Sequence, residues 1–149
     1  MISTQLDVVR IEELKEHEEI DHSHLREIYK LIEADGVLKR PLAVDSRTKT
    51  VLDGVHRLNV LKLFLCSRIP VYFLDFLSDE IVVYSADRTT AMSKDEVIRA
   101  ALSGRKMPAR TTWHMIKMAN GQLEHISLIE KEAHYSLGSL KTNYNAQTT

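Results

Sequence analysis

The sequence predicts a compact α+β domain in which a small mixed sheet is flanked by helices. Apolar runs of strand length recur between amphipathic stretches, and the hydrophobic period switches from two to 3.6 at Gly54. A chain of 149 residues, 44% hydrophobic and 28% charged, is long enough for one real core and too short for two independent domains.

Residues 6–11 alternate as a short strand and run into a polar stretch over 12–19. Ser23 is the expected N-cap of a helix in which Leu25, Ile28, Leu31 and Ile32 share a face, and Gly36 supplies its left-handed stop. Residues 41–45 and 50–53 read as strands paired through the polar connection 46–49. Beyond Gly54, Val55, Leu58, Leu61 and Leu65 form one face of a helix ending near Ser67. Residues 69–75 give a third core strand, with Pro70 tolerable near its start, and 81–84 a fourth. Ser93 and Glu96 make a capping box for a helix that Val97, Ile98, Ala101 and Leu102 continue and Gly104 ends. Thr111 or Thr112 reads as the cap of another helix, and residues 123–133 as a last one. The domain spans 1–141, and 142–149 is a polar tail expected to be flexible.

Charge and composition narrow the function classes. Twenty Lys+Arg against 21 Asp+Glu leave a formal charge of -1, so no net positive field attracts polyanionic DNA, and nucleic acid is not an expected partner. No apolar run approaches membrane-spanning length and Asp7 and Arg10 interrupt any signal-like core, which predicts a cytoplasmic protein. The single Cys66 has no intrachain partner and sits in an apolar context, as a small buried hydrophobe does. His22, His24, His125 and His134 lack metal-ligand spacing, so no structural metal site is expected.

The chemistry concentrates at Asp53-Gly54-Val55-His56-Arg57, where a strand hands over to a helix. The first N–H groups of a helix have no intrahelical acceptor and lie at its positive end, an arrangement that attracts phosphate. Gly54 removes a side chain that would block close approach, His56 and Arg57 offer donors, and Asp53 ends its strand where it can orient a nucleophile or meet a divalent ion.

Residues 51–58, followed by an amphipathic helix and Ile69-Pro70-Val71, resemble the DGxHR segment of the ParB/sulfiredoxin-like superfamily, and more narrowly its free L-serine kinase branch. An upstream His17-Glu18 and a downstream Arg110-Thr111-Thr112-Trp113-His114 match that branch in order, so the resemblance covers residues 6–118. It implies phosphorylation of free L-serine to O-phospho-L-serine, with ATP or ADP as donor and Mg²⁺ accompanying the nucleotide, near Asp53. By the same resemblance Glu18 is the general base, with Glu19 as the register alternative, and Asp53 assists catalysis. Gly54, Val55, His56 and Arg57 cradle phosphate, and Thr111, Thr112 and His114 bind the substrate. A non-catalytic ParB-like nucleotide- or DNA-associated binding module is the alternative.

Sulfiredoxin chemistry needs a cysteine in the loop, where this chain has Val55. A chromosome-partitioning clamp needs a further helix-turn-helix domain, for which too little sequence remains. Two departures mark the chain within the branch: a short segment over 86–109, and Val55 where some relatives carry histidine. Arg88, just after the fourth strand, reads as an exposed loop arginine, with reach to the nucleotide as the alternative, and Trp113 as a pocket wall or core residue.

Overall fold

The structure, a computed structural model, describes residues 2–141; the expected tail over 142–149 lies outside them. In chain order the elements are β1 (Gln5–Arg10), a 3₁₀ turn (Ile11–Glu13), α1 (His22–Asp35), β2 (Val37–Leu38), β3 (Leu42–Asp45), β4 (Val51–Asp53), α2 (Val55–Leu63), β5 (Arg68–Leu74), β6 (Ile81–Ser85), α3 (Lys94–Ser103), β7 (Thr112–Lys117), β8 (Leu123–His125), a second 3₁₀ turn (Ile126–Ile129), β9 (Tyr135–Ser136) and α4 (Leu137–Lys141). The α+β class and the mixed sheet are as expected. Strands run in the order β1-β5-β3-β4, with β3 and β5 parallel and the other neighbours antiparallel. A second, antiparallel sheet has the order β6-β7-β8, and β2 pairs with β9 as a short ribbon.

The central strands are apolar throughout because both faces are covered. In β3, Leu42 and Val44 point into one core with Leu58, Leu61, Ile69 and Val71, whereas Ala43 joins a second core with Leu52, Phe76, Ile81, Val83 and Ile116. Val51 and Leu52 divide between the two cores in the same way. Alternation then carries no polar partner, as in any doubly covered sheet. Pro70 precedes the stretch of β5 that pairs with β3, where β1 is the only partner, the edge condition that proline tolerates. The β4-to-α2 junction lies between the two cores, and this fixes the loop that follows.

Several local expectations are corrected. Asp21, not Ser23, caps α1, its carboxylate accepting from the amides of Ser23 and His24. Helix α2 stops at Leu63, and Leu65 is 82% exposed with a left-handed backbone. Thr111 and Thr112 cap no helix, because Thr112 opens β7, which pairs with β6 and buries His114 and Ile116 on alternate positions. Residues 123–133 form no α-helix: Asn120 and Gly121 turn the chain, Met118 N–H donating to Gln122 O at 2.7 Å, and β8 pairs back on β7 before the short 3₁₀ turn. Leu31 is exposed, while Leu25, Ile28 and Ile32 pack on the core as expected.

Candidate active site

Gly54 sits at φ 103°, a conformation that disfavours any side chain, and a Cβ there would lie 2.7 Å from both Arg57 Nη2 and Leu42 Cγ. The loop is therefore closed tightly against what lies behind it. Leu58 N–H is the first to return into α2, donating to Gly54 O at 2.9 Å. The amides of Val55, His56 and Arg57 precede it and belong to the turn without helical acceptors.

The two basic residues of the loop part company. His56 faces the cleft, its Nε2 accepting from Asp21 N–H at 3.0 Å. That acceptor role leaves the ring proton of a neutral imidazole on Nδ1. Partial burial, with help from His24 and Arg110, holds His56 below its ordinary pKa, against the pull of Asp21. Arg57 instead turns behind the loop. Its Nη1 donates to Arg40 O at 2.8 Å and Pro41 O at 3.0 Å, and its Nη2 to Glu130 Oε1 at 2.8 Å and Asp53 Oδ2 at 3.3 Å. All four terminal N–H bonds thus end on protein acceptors.

Opposite the loop, residues 15–19 run extended between β4 and the loop before β7, held by bridges Lys15 to Thr50 and Glu18 to Met107. This strap orders the acidic segment and separates its carboxylates. Glu16 takes hydrogen bonds from Asn59 and Lys62; burial raises its pKa, but these partners outweigh it and leave it lowered. Glu19 is exposed, whereas Glu18 turns inward. Thr112 N–H donates to Glu18 Oε2 at 2.8 Å, the Thr112 hydroxyl donates to the same oxygen, and Arg110 N–H reaches Oε1 at 3.2 Å. The strand start of β7 is therefore built around this carboxylate, a tie between two motifs 94 residues apart.

Behind Glu18 stand two buried histidines. His17 Nε2 lies 3.1 Å from Thr112 Oγ1, 3.7 Å from Glu18 Oε2 and 3.4 Å from His114 Nε2. Burial lowers the pKa of His17, against the opposing charge of Glu18, and lowers that of His114 well below the ordinary range, with His17 adding to it. His114 also stands edge-on to Phe76, and its Nδ1 has no hydrogen-bond partner.

Two adjoining cavities meet at Glu18, Val55, Thr112 and His125. The inner one, about 50 Å³, adds His17, Asp53 and His114 to that lining. The outer one, about 340 Å³, adds His24, His56, Arg88, Arg110 and Trp113. Arg88 lies with its guanidinium 3.9 Å above the Trp113 ring, so it belongs to the cleft wall. Thr111 lines neither cavity; its hydroxyl donates to Pro108 O at 2.8 Å. Among the described residues no cluster of three or more His, Cys, Asp or Glu side chains is arranged to hold a metal, and no helix is long and apolar enough to cross a membrane.

Solved structures share this arrangement of elements. A conserved hypothetical protein from Pyrococcus furiosus superposes with a TM-score of 0.75 at 13% identity, covering 91% of this chain and 97% of its own. A free serine kinase in complex with AMP gives 0.75 at 13% identity, covering 93% and 96%, and a glutamate-to-alanine mutant of a free serine kinase has been solved with ADP. The chain has the free serine kinase fold. SbnI with C-terminal truncation, from Staphylococcus aureus, matches at 0.64 with 14% identity and 97% coverage of both chains. No protein-family model and no curated protein sequence matches the chain.

Of the residues singled out from sequence, the fold gathers Glu18, Asp53, Val55, His56, Thr112 and His114 around the two cavities. Sequence reasoning missed His24, His125 and Glu130; Arg88 is the exposed loop arginine expected and also stands at the cleft wall. His24 is the third residue of α1, in its first turn, and stands against His56 with ring centroids 4.6 Å apart. His125 and Glu130 lie beyond the matched motifs and carry no local signal.

Proposed function

We propose that this protein is a nucleotide-dependent kinase that phosphorylates the hydroxyl of free L-serine, or of a similarly small amino acid, to give the O-phospho product. The observation that carries the reading is the position of Glu18, whose carboxylate lies where the inner cavity opens into the cleft bordered by the N-terminus of α2. The nucleotide phosphates are assigned to the outer cleft, where the amides of Val55 and His56, the Nδ1–H of His56 and the fixed charges of Arg88 and Arg110 converge. Gly54 allows this approach, and Arg57 supports it from behind the loop. The AMP and ADP carried by free serine kinases favour adenine nucleotides as donors.

The substrate amino acid is assigned to the inner cavity, against Thr112 and His114, with Thr111 bracing the turn that presents Thr112. The serine Oγ attacks the terminal phosphorus. The new O–P bond forms as the bond to the leaving nucleotide oxygen breaks, and the hydroxyl proton passes to Glu18. An alkyl hydroxyl is a weak nucleophile, so this transfer requires a carboxylate within hydrogen-bond reach. The Thr112 hydroxyl already donates to Glu18 in this way. A Mg²⁺ carried in on the phosphates would be held by Asp53, which lines the inner cavity beside Glu18, with phosphate and water oxygens supplying most of its shell. Such an ion would offset phosphate charge.

Incubation with L-serine, Mg²⁺ and either ATP or ADP, read by ³¹P NMR, tests the reading. Phosphoserine appears with at least one donor. Nucleotide binding without phosphoserine would make the chain a nucleotide-binding module instead.

A further inference from the structure

We infer that Glu130 is a positioning residue of the phosphate loop, acting through Arg57; this rests on the reading of residues 53–57 as the phosphate site. The side chain of Glu130 is 1% exposed, and its Oε1 receives Arg57 Nη2 at 2.8 Å across 73 residues of sequence. The same guanidinium holds the carbonyls of Arg40 and Pro41 at the entry to β3 and the carboxylate of Asp53 at the end of β4. One planar group therefore joins three segments, and the loop closes over it so tightly that Gly54 has no room for a Cβ. Glu130 is itself fixed. It follows the 3₁₀ turn Ile126–Ile129, whose Ile126 is fully buried, and its amide donates to Ser127 O at 2.9 Å. The same short segment supplies His125 to the cleft wall, where its ring meets Trp113.

The charge balance explains why this contact holds a position without adding a field. A single guanidinium faces two carboxyl groups, Asp53 and Glu130, and can neutralise only one. Burial chiefly, with the charge of Asp53 added and Arg57 opposing, pushes the Glu130 carboxyl up to about 9, so at neutral pH it keeps its proton and still accepts from Arg57 through Oε1. A glutamine at this position reproduces that acceptor and its neutrality; an alanine does not.

The test compares the wild type with Glu130→Gln and Glu130→Ala. Amide exchange of Leu58, whose N–H donates to Gly54 O and closes the junction, is followed without nucleotide, ADP affinity by calorimetry, and serine KM in the phosphorylation assay. In Glu130→Ala, exchange at this amide accelerates and ADP binding weakens, each by about tenfold, with serine KM within about twofold, as expected when a buried pair loses one partner. Glu130→Gln stays near wild type in all three at pH 7. If the alanine variant does not fold, Arg57→Lys serves instead: its point charge cannot span the four acceptors, and the same acceleration is expected. Unchanged exchange in the folded variants overturns the inference, as does a glutamine variant as impaired as alanine. If ADP neither binds the wild type nor protects residues 55–57, the proposed function fails, while the exchange measurement on nucleotide-free protein still decides the role of Glu130.

Discussion

Two glutamates on either side of the DGVHR loop receive opposite treatment. Glu18 takes its hydrogen bonds from neutral donors, the amides of Arg110 and Thr112 and the Thr112 hydroxyl, and opens on both cavities. Glu130 is sealed, bound to a cation it shares with Asp53, and reaches the cleft only through what it holds in place. A carboxylate placed to receive a proton needs access and polar company without a committed counter-ion; a carboxyl group placed to hold geometry needs a permanent partner and no solvent. His56 and Arg57 divide in the same way within one turn of helix, one toward the cleft and the other behind the loop.

The largest effect breaks the comparison on the Glu18 side. Glu18→Gln keeps the shape and removes the proton acceptor, so phosphoserine formation falls by about 10²- to 10⁴-fold, the usual contribution of a general base, while ADP affinity measured by calorimetry stays within about twofold. Comparable turnover in the variant removes Glu18 from the chemistry.

Next is Gly54→Ala, which acts on the loop both residues serve. A side chain at φ 103° pressed against Arg57 and Leu42 costs about 3 kcal/mol in urea unfolding and lowers ADP affinity in parallel. A variant as stable as wild type would mean that the loop is looser than its contacts indicate.

The buried histidines behind Glu18 sharpen the contrast through pH. His17 and His114 have folded-state pKa values depressed below the 6.5 they take when unfolded, chiefly by burial. Below about pH 6.5 the unfolded chain binds protons that the folded one refuses, so stability falls as pH drops from 7 toward 5, with a slope that approaches about 1.4 kcal/mol per pH unit for the deeply buried His114 and is smaller for His17, whose pKa Glu18 holds up. His114→Gln should flatten that slope in urea melts at pH 7, 6 and 5.

The smallest effect lies at the rim. Arg88→Ala removes the guanidinium stacked on Trp113 and one fixed charge of the outer cleft, and weakens ADP binding by about threefold, in line with an exposed cation–π contact. Raising the salt concentration should shrink the difference between variant and wild type.

The sequence was most legible where local signals agreed. The switch of period at Gly54 located the β4-to-α2 junction, and Gly36 and Gly104 marked helix ends that do adopt left-handed backbones. At Thr111 and Thr112 two signals competed, since threonine suits a helix cap and a strand equally; the alternate burial of His114 and Ile116 against β6 decided for the strand. Asn120-Gly121 is a hairpin signal, and the turn it makes returns residues 123–125 onto β7 where the weak helical period of 123–133 points to a helix. The inward turn of Glu18 among five clustered glutamates depends on bridges to Thr50 and Met107, and the grip of Glu130 on Arg57 spans 73 residues; neither leaves a trace in local pattern. Motif order identified the loop, but which of its basic side chains faces the cleft is a property of packing.

The central claim is that the N-terminus of α2 and Glu18 face one another across a transferring phosphoryl group. A crystal structure of Glu18→Gln with ADP and L-serine tests it most directly. The account predicts the terminal phosphate on the amides of Val55 and His56, and the serine Oγ in line with phosphorus and within hydrogen-bond reach of residue 18. Nucleotide seated away from this junction, or serine bound with its hydroxyl turned from residue 18, would contradict it.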